Sequence, residues 1–410
     1  MLTRRTILQG AAASAVALNV PSVFASSPSF DMKKFAAEVA ELVAIDSPSG
    51  HEAGVNKVID IMAKKFQSIG WTVSQHYCKG RGNALVATSG KNQDHYDVVL
   101  CAHADTVQPV GNAKKYPFKL DGTVAHGAGV GDDKSSLNLV YWICKDLPKS
   151  TTDNLNIAVI INPGEESGSP ATIQFMAEQA KKTPIALVYE PGRGEVKGGA
   201  FVKVRKGCIF LTIKFHGVPA HAGNNPEQGR NAITAMALAI PQISAIAKKY
   251  PNVTLNGDVV KGGTTPNTIA AEAEVVFDFR FMDNQVRDAV LKDIRTLCSK
   301  EFVPGVKCEV VQPNLNSALA HNEQSKKLVA LVNKAASELG QPQPNWLVVG
   351  GASDGNKFSA TGAAVACAMG VVSGNLHDPQ KEWSDLSTAP TRLALGQKIL
   401  AKLAAQKGKL

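Results

Sequence analysis

V-V-L-C-A-H-A-D-T, residues 98–106, is an apolar run that ends on a histidine, with an aspartate two positions further on. A short run without polar alternation fits a strand buried on both faces. The same texture recurs at 157–161 (I-A-V-I-I) ahead of Glu165 and Glu166, at 186–189 (A-L-V-Y) ahead of Glu190, and at 363–369 (A-A-V-A-C-A-M) upstream of His377. Stretches with helical spacing lie between these runs, at 135–147, 170–182 and 322–341. Strand and helix in alternation predict an α/β fold, a mostly parallel sheet with helices on both faces. Ligands of such sheets gather outside the carboxyl ends of the strands, so residues far apart in sequence are expected to meet there.

This pattern holds from Asp31 to about Val204 and then changes. Residues 207–217 (G-C-I-F-L-T-I-K-F-H-G) and 272–281 (E-A-E-V-V-F-D-F-R-F) alternate apolar with polar, as strands with one wet face do. Helical spacing at 229–250 is interrupted by Pro241, which predicts a kink or an end there. A further helix at 283–302 and a strand at 306–311 complete an expected α+β domain, a small antiparallel sheet with two helices. The parallel pattern resumes near Asn314 and runs to a last helix at 388–405. A chain of 410 residues exceeds what one core usually holds. The expected division is one domain from 26–204 and 313–410, with 205–312 inserted into it.

Paired Arg4 and Arg5, an uncharged run at 10–20 and V-F-A at 23–25 resemble a twin-arginine export signal over residues 1–25. The expected location is the periplasm, reached after folding in the cytoplasm. No run of eighteen apolar residues occurs, so stable membrane insertion is not expected. The formal charge is +9, but its basic residues are dispersed in short pairs such as Lys248-Lys249. That fits solubility and attraction for anionic substrates, and argues against nucleic acid. Seven cysteines include no C-x-x-C pair, which leaves a zinc ribbon or thioredoxin-like motif without support. Cys101, Cys144 and Cys367 sit inside apolar elements as expected buried thiols; Cys298 and Cys308 are near enough in sequence for a bridge that spacing alone does not decide.

His103 stands two residues before Asp105. A metal-bound histidine usually gives its other ring N–H to a carboxylate, which fixes its tautomer. Asp132, after G-A-G-V-G (127–131), offers a carboxylate that can bridge two divalent ions, while Asp133 is expected to cap the following helix. The glycines do not have the G-x-G-x-x-G spacing of a dinucleotide loop. Glu165 and Glu166 are adjacent in a strand-end loop, where side chains diverge. One can ligate a metal, and the other can take a proton from an activated water and pass it to a leaving nitrogen. Glu190 and His377 complete the set. Nitrogen and carboxylate ligands without cysteine suit zinc, with cobalt and manganese as alternatives. No G-x-S-x-G elbow supports a serine nucleophile.

H-A-D-T (103–106), G-D-D-K (131–134), G-E-E-S (164–167), Y-E-P (189–191) and the downstream histidine resemble the dinuclear zinc peptidases that include glutamate carboxypeptidase, acetylornithine deacetylase, succinyl-diaminopimelate desuccinylase and the aminoacylases. The resemblance implies two zinc ions, one held by His103 and Glu190, the other by Glu166 and His377, with Asp132 bridging. It implies Glu165 as general base, Asp105 as the orienter of His103, and a cis peptide between Asp132 and Asp133. H-G-V-P-A-H-A-G (216–223) resembles the segment whose histidine, here His221, reaches into the partner subunit's site of a homodimer to polarise the scissile carbonyl. Asn267 and Arg280 resemble the residues that hold a substrate's terminal carboxylate, for which a planar guanidinium is suited. Gly350 and Gly351, in G-G-A-S-D-G-N, resemble a glycine loop beside the substrate, nearest the glutamate carboxypeptidase branch. Around His377 the chain departs from the pattern: Asp378 stands where relatives have serine or threonine, adding negative charge beside a ligand.

The expected function is an exported zinc metallopeptidase that cleaves an amide bond next to a free α-carboxylate and releases an amino acid such as glutamate. An N-acyl amino acid deacylase is the alternative. A periplasmic binding protein without catalysis is a third reading, against which Glu165 beside a full ligand set argues.

Overall fold

Six strands form the main sheet in the order Thr72–Cys78, Gly82–Thr88, Ile157–Asn162, Val98–His103, Ile185–Val188, Ala364–Ala366. The last four are mutually parallel; Gly82–Thr88 joins them antiparallel and pairs with Thr72–Cys78 as a hairpin. The computed structural model describes residues 30–410 apart from 91, 168, 196–198 and 312–316. The expected leader and the expected boundary at 312/313 lie outside the described residues.

The three central strands are buried along their whole length, as their unbroken apolar runs predict. Val99, Cys101, Ala158, Ile160, Ala186 and Val188 share one cluster with Phe175, Met176 and Phe358. The alternate residues, Leu100, Val159 and Leu187, are equally buried and face the other way, since successive side chains of a strand point to opposite faces. Helices Glu52–Ser68 and Ser135–Lys145 pack against the same sheet. Parallel pairing brings the ends of 98–103, 157–162 and 185–188 to one edge, where His103, Glu165 with Glu166, and Glu190 follow directly. A second, five-stranded sheet, in the order 119–121, 124–126, 383–385, 372–374, 192–193, carries His377 in the connection between two of its strands.

The chain leaves the main sheet after Val188 and rejoins it at Ala364. Within that excursion lies an antiparallel sheet, in the order Thr254–Gly262, Glu272–Phe281, Gly207–His216, Lys307–Val310. Along Glu272–Phe281 every second residue is buried, and Phe277, Phe279 and Phe281 pack with Ile243 and Ile294 of helices Ala232–Ile246 and Asn284–Cys298. Asn231 and Asp283 cap those helices by accepting N–H groups of the first turn.

Of the two outcomes expected at Pro241, a kink or an end, the helix does not show the end. Ala232–Ile246 runs through it, because Pro241 and Ala237, four residues earlier, are both exposed, so water can satisfy the carbonyl that loses its donor. Strand Thr254–Gly262, which had no periodic signal, is the open edge of this sheet, with Val259 and Val260 exposed. No described helix is long and apolar enough to cross a membrane.

Candidate active site

Asp132 is the centre of the constellation. Its Oδ1 lies 3.0 Å from His103 Nε2, and its Oδ2 lies 3.5 Å from Nε2 of His377. The carboxylate therefore presents one oxygen to each histidine. Glu190 Oε1 stands 3.9 Å from His103 Nε2, and Glu166 Oε2 stands 3.6 Å from His377 Nε2. All five expected ligands are together, in two halves that share Asp132. Glu165 also comes near: an oxygen of its carboxylate, one of Glu190 and a ring nitrogen of His103 lie within 4.8 Å of one another. The peptide between Asp132 and Asp133 is cis.

Asp105 holds three of these elements at once. Its Oδ1 lies 3.4 Å from His103 Nδ1 and accepts the Glu165 N–H at 2.9 Å, while Oδ2 accepts the Glu166 N–H at 3.2 Å and the Ser49 hydroxyl at 2.5 Å. The Asp105 backbone carbonyl is 2.9 Å from the same His103 nitrogen, which directs the opposite nitrogen at Asp132. Asp133 does not cap the next helix, contrary to expectation. That helix has Lys134 at its N-cap with no side-chain cap bond, and Asp133 Oδ2 accepts the His103 N–H at 3.4 Å.

The electrostatics favour a cation. Burial raises Glu165 well above the usual carboxylate range, with Glu190 adding to the effect. Burial and the neighbouring Asp132 push Glu166 up to about 8. Burial opposes charge on His103, but its bonds to Asp105 and Asp132 outweigh this and raise it well above its ordinary value. His377 is raised to about 9, chiefly by its bond to Asp132. Glu166 Oε1 is buried with no hydrogen-bond partner among the described residues. Crowded buried carboxylates with an orphaned oxygen are costly unless a cation compensates them, so this donor set fits divalent metal.

These groups face a cavity that Asp132, Glu165, Glu166, Glu190, Arg205 and His377 line together with Gly351. His221, Asn267, Arg280 and Gly350 do not line it. His221 is exposed, and its Nδ1 accepts the N–H groups of Gly223 and Asn224, both at 3.1 Å. That leaves the proton of the neutral ring on Nε2, pointing outward as a donor. The Arg280 fork is engaged by Asp278, at 2.6 and 2.9 Å. Asp378, expected to add charge beside His377, instead accepts the Gln380 N–H at 3.0 Å and lies 3.3 Å from Lys381 Nζ.

Residues 204–306 match the peptidase dimerisation domain of the M20 family. The chain is 27% identical over 375 residues to carboxypeptidase G2 of Pseudomonas sp. (strain RS-16), covering 90% of this chain and 88% of that protein. It is 24% identical over 349 residues to succinyl-diaminopimelate desuccinylase of Pseudoalteromonas translucida, covering 79% and 87%. The fold is similar to that of aminopeptidase PepT from Bacillus cereus, with TM-score 0.71 at 22% identity over 91% of this chain and 99% of that one. Along most of its length the chain is similar to M20 peptidases. It is accordingly a metal-dependent hydrolase of the peptidase and amidohydrolase type.

Two residues of this M20 site were not singled out by sequence. Arg205 is buried, with Nη2 3.4 Å from Glu190 Oε2 and Nη1 donating to the carbonyls of Gly351 and Ala352 at 3.2 and 3.3 Å. It ties a ligand carboxylate to the glycine loop. Glu382 is 1% exposed and lies under the Asp132 loop. Arg205 had a signal, a cation closing a strand of mostly apolar, buried residues; Glu382 had none.

Proposed function

We propose that this protein is an exported, two-metal M20 carboxypeptidase that hydrolyses an amide bond next to a free α-carboxylate and releases an amino acid such as glutamate. The observation that carries the two-metal reading is Asp132, whose two oxygens face His103 and His377 from between Glu190 and Glu166. His103 and Glu190 would hold one ion, Glu166 and His377 the other, with Asp132 shared. Zinc suits these donors. Divalent metal supplies Lewis acidity there, lowering the pKa of a water and polarising the carbonyl.

The chain's own residues supply the rest. Glu165, with its raised proton affinity, takes the proton from the attacking water and delivers it to the leaving nitrogen. Asp105 fixes His103 and the backbone of the Glu165–Glu166 loop, so ligand and base keep one relative position. His221 donates from Nε2 to the developing oxyanion. Because it does not line its own chain's cavity, it acts on the site of a second subunit. Arg280 and Asn267 meet the substrate carboxylate in that assembled site, with Arg280 leaving Asp278. The similarity to carboxypeptidase G2 supports this substrate class; paired Arg4 and Arg5 with the A-x-A-like site support export.

Hydrolysis of dipeptides, N-acyl amino acids and folate-like glutamates by the zinc-loaded protein tests the reading. Preference for glutamate across varied acyl groups is expected; strict demand for one acyl group would assign the chain to deacylation instead. Mixing Glu165→Gln with His221→Ala subunits is expected to restore part of the activity that each lacks alone. No recovery after verified subunit exchange would remove the shared site. A reporter carrying residues 1–30 is expected to stay inside cells whose twin-arginine pathway is disabled.

A further inference from the structure

Arg392 is only 7% exposed, yet its guanidinium makes no hydrogen bond or ion pair with any described residue. It lies over the Phe201 ring, 3.9 Å from the centroid. Burial pushes its pKa down to about 9, opposed by Tyr189. Such a charge is costly when nothing compensates it. Two glycines nevertheless make room for it: a Cβ at Gly199 would stand 2.9 Å from Nη2, and one at Gly192 3.1 Å.

The guanidinium borders a cavity whose walls include Phe201, Pro342, Pro344, Leu395 and Thr391 and which no carboxylate lines. The first turn of helix Ala389–Ala405 borders it too, adding the partial positive charge of a helix start. This space is separate from the metal cavity. Within the strand that divides them, Val372 lines the one and Ser373 the other, as successive residues of a strand do.

We propose that this cavity is a second ligand site, one that binds a small organic carboxylate through Arg392 and holds its apolar body against Phe201 and the two prolines. A planar guanidinium pairs bidentately with a carboxylate. Gln343, Asn345 and Ser387 line the cavity as well, so the preference for an organic over an inorganic anion rests on the Phe201 and proline wall, and phosphate is the probe that checks it.

Trp346 packs at a tilt against Phe201 with ring centroids 5.3 Å apart, so its fluorescence reports on this cavity. The test titrates the zinc-loaded full chain with phenylacetate, uncharged phenylacetamide and inorganic phosphate, with Trp346→Phe as the blank. The expected result is a saturable Trp346 response to phenylacetate alone. Arg392→Gln should weaken it about tenfold or more while kcat/KM for the hydrolysed substrate stays within about twofold. Thr391→Phe, which narrows the cavity and leaves the guanidinium in place, should weaken it as well. Undiminished phenylacetate binding in either variant overturns the site. A response to phenylacetamide or phosphate as strong as that to phenylacetate overturns the carboxylate assignment.

Discussion

Glu382 accepts the backbone N–H of Asp132 at 3.0 Å. The same oxygen accepts the Gly131 N–H at 2.9 Å, and the other accepts the Gly129 N–H at 3.1 Å and Gln108 Nε2 at 3.4 Å. One buried carboxylate thus sets the loop from which Asp132 reaches both histidines. Removing it takes an acceptor from three backbone donors, at about 1–3 kcal/mol for each left unsatisfied. Glu382→Ala is expected to lower the melting temperature and to weaken zinc binding by about 10–100-fold. Competition with a chelator of known affinity checks this; unchanged zinc affinity would show that the loop holds its shape without Glu382.

Glu165→Gln keeps the backbone N–H that Asp105 accepts but removes the proton acceptor. Turnover should fall by about 10²–10⁴ with metal content unchanged. Rate measurements beside elemental analysis of the same sample separate loss of the base from loss of the ions.

Metal uptake should depend steeply on pH. Without metal, Glu166 is pushed up to about 8 and His377 to about 9, so both carry protons at pH 6. An incoming ion must displace those protons. Affinity is therefore expected to rise from pH 6 to pH 9, with proton release shrinking over the same interval. Calorimetry in buffers of different ionisation enthalpy measures both, and a flat affinity across that range contradicts the expectation.

The open strand Thr254–Gly262 exposes Val260 at 56% and Val259 at 49% beside unpaired backbone, a template for pairing with a second chain. Val260→Pro disturbs that edge and is expected to shift the proposed dimer to monomer and to reduce activity. Analytical ultracentrifugation reads the first and steady-state assay the second. A fully active monomer would exclude His221 acting between subunits.

Cys298 and Cys308 pack in one core cluster, and each thiol shifts the other, lowering the first and raising the second. In the proposed periplasmic setting an external disulfide oxidant would take two electrons and two protons from the pair. Thiol titration of the denatured, oxidised protein is then expected to find two fewer than the seven thiols of the chain. Melting should shift upward, by an amount corresponding to about 2–4 kcal/mol. An unchanged count would mean that the two sulfurs cannot reach bridging geometry.

The parts of this molecule legible from sequence are those where burial follows local pattern. Val98–His103 and Ile157–Asn162 read as strands because every side chain in them meets a neighbour, and Glu272–Phe281 because alternate ones do. The ligands were legible because each directly follows such a strand or stands in a compact motif. Glu382 was not: D-P-Q-K-E-W has the texture of an exposed turn, and its burial depends on glycine N–H groups some 250 positions away. Strand Thr254–Gly262 escaped notice because eight of its nine residues are exposed. A partner chain, rather than its own core, would give it an apolar face. Pro241 does not stop its helix because the rule against proline concerns a lost hydrogen bond, and here the orphaned carbonyl lies on the wet side of the helix.

The order in which the site's parts occur along the chain bears on biosynthesis. Strand Ala364–Ala366 closes the main sheet only after the whole excursion through the antiparallel sheet, and His377 and Glu382 follow it. A polypeptide arrested on the ribosome before residue 377 lacks one histidine of the pair that flanks Asp132, and the carboxylate that shapes its loop. The proposed ligand set is therefore completed only by a late-synthesised segment, and a chain truncated before it would carry an unfinished pocket.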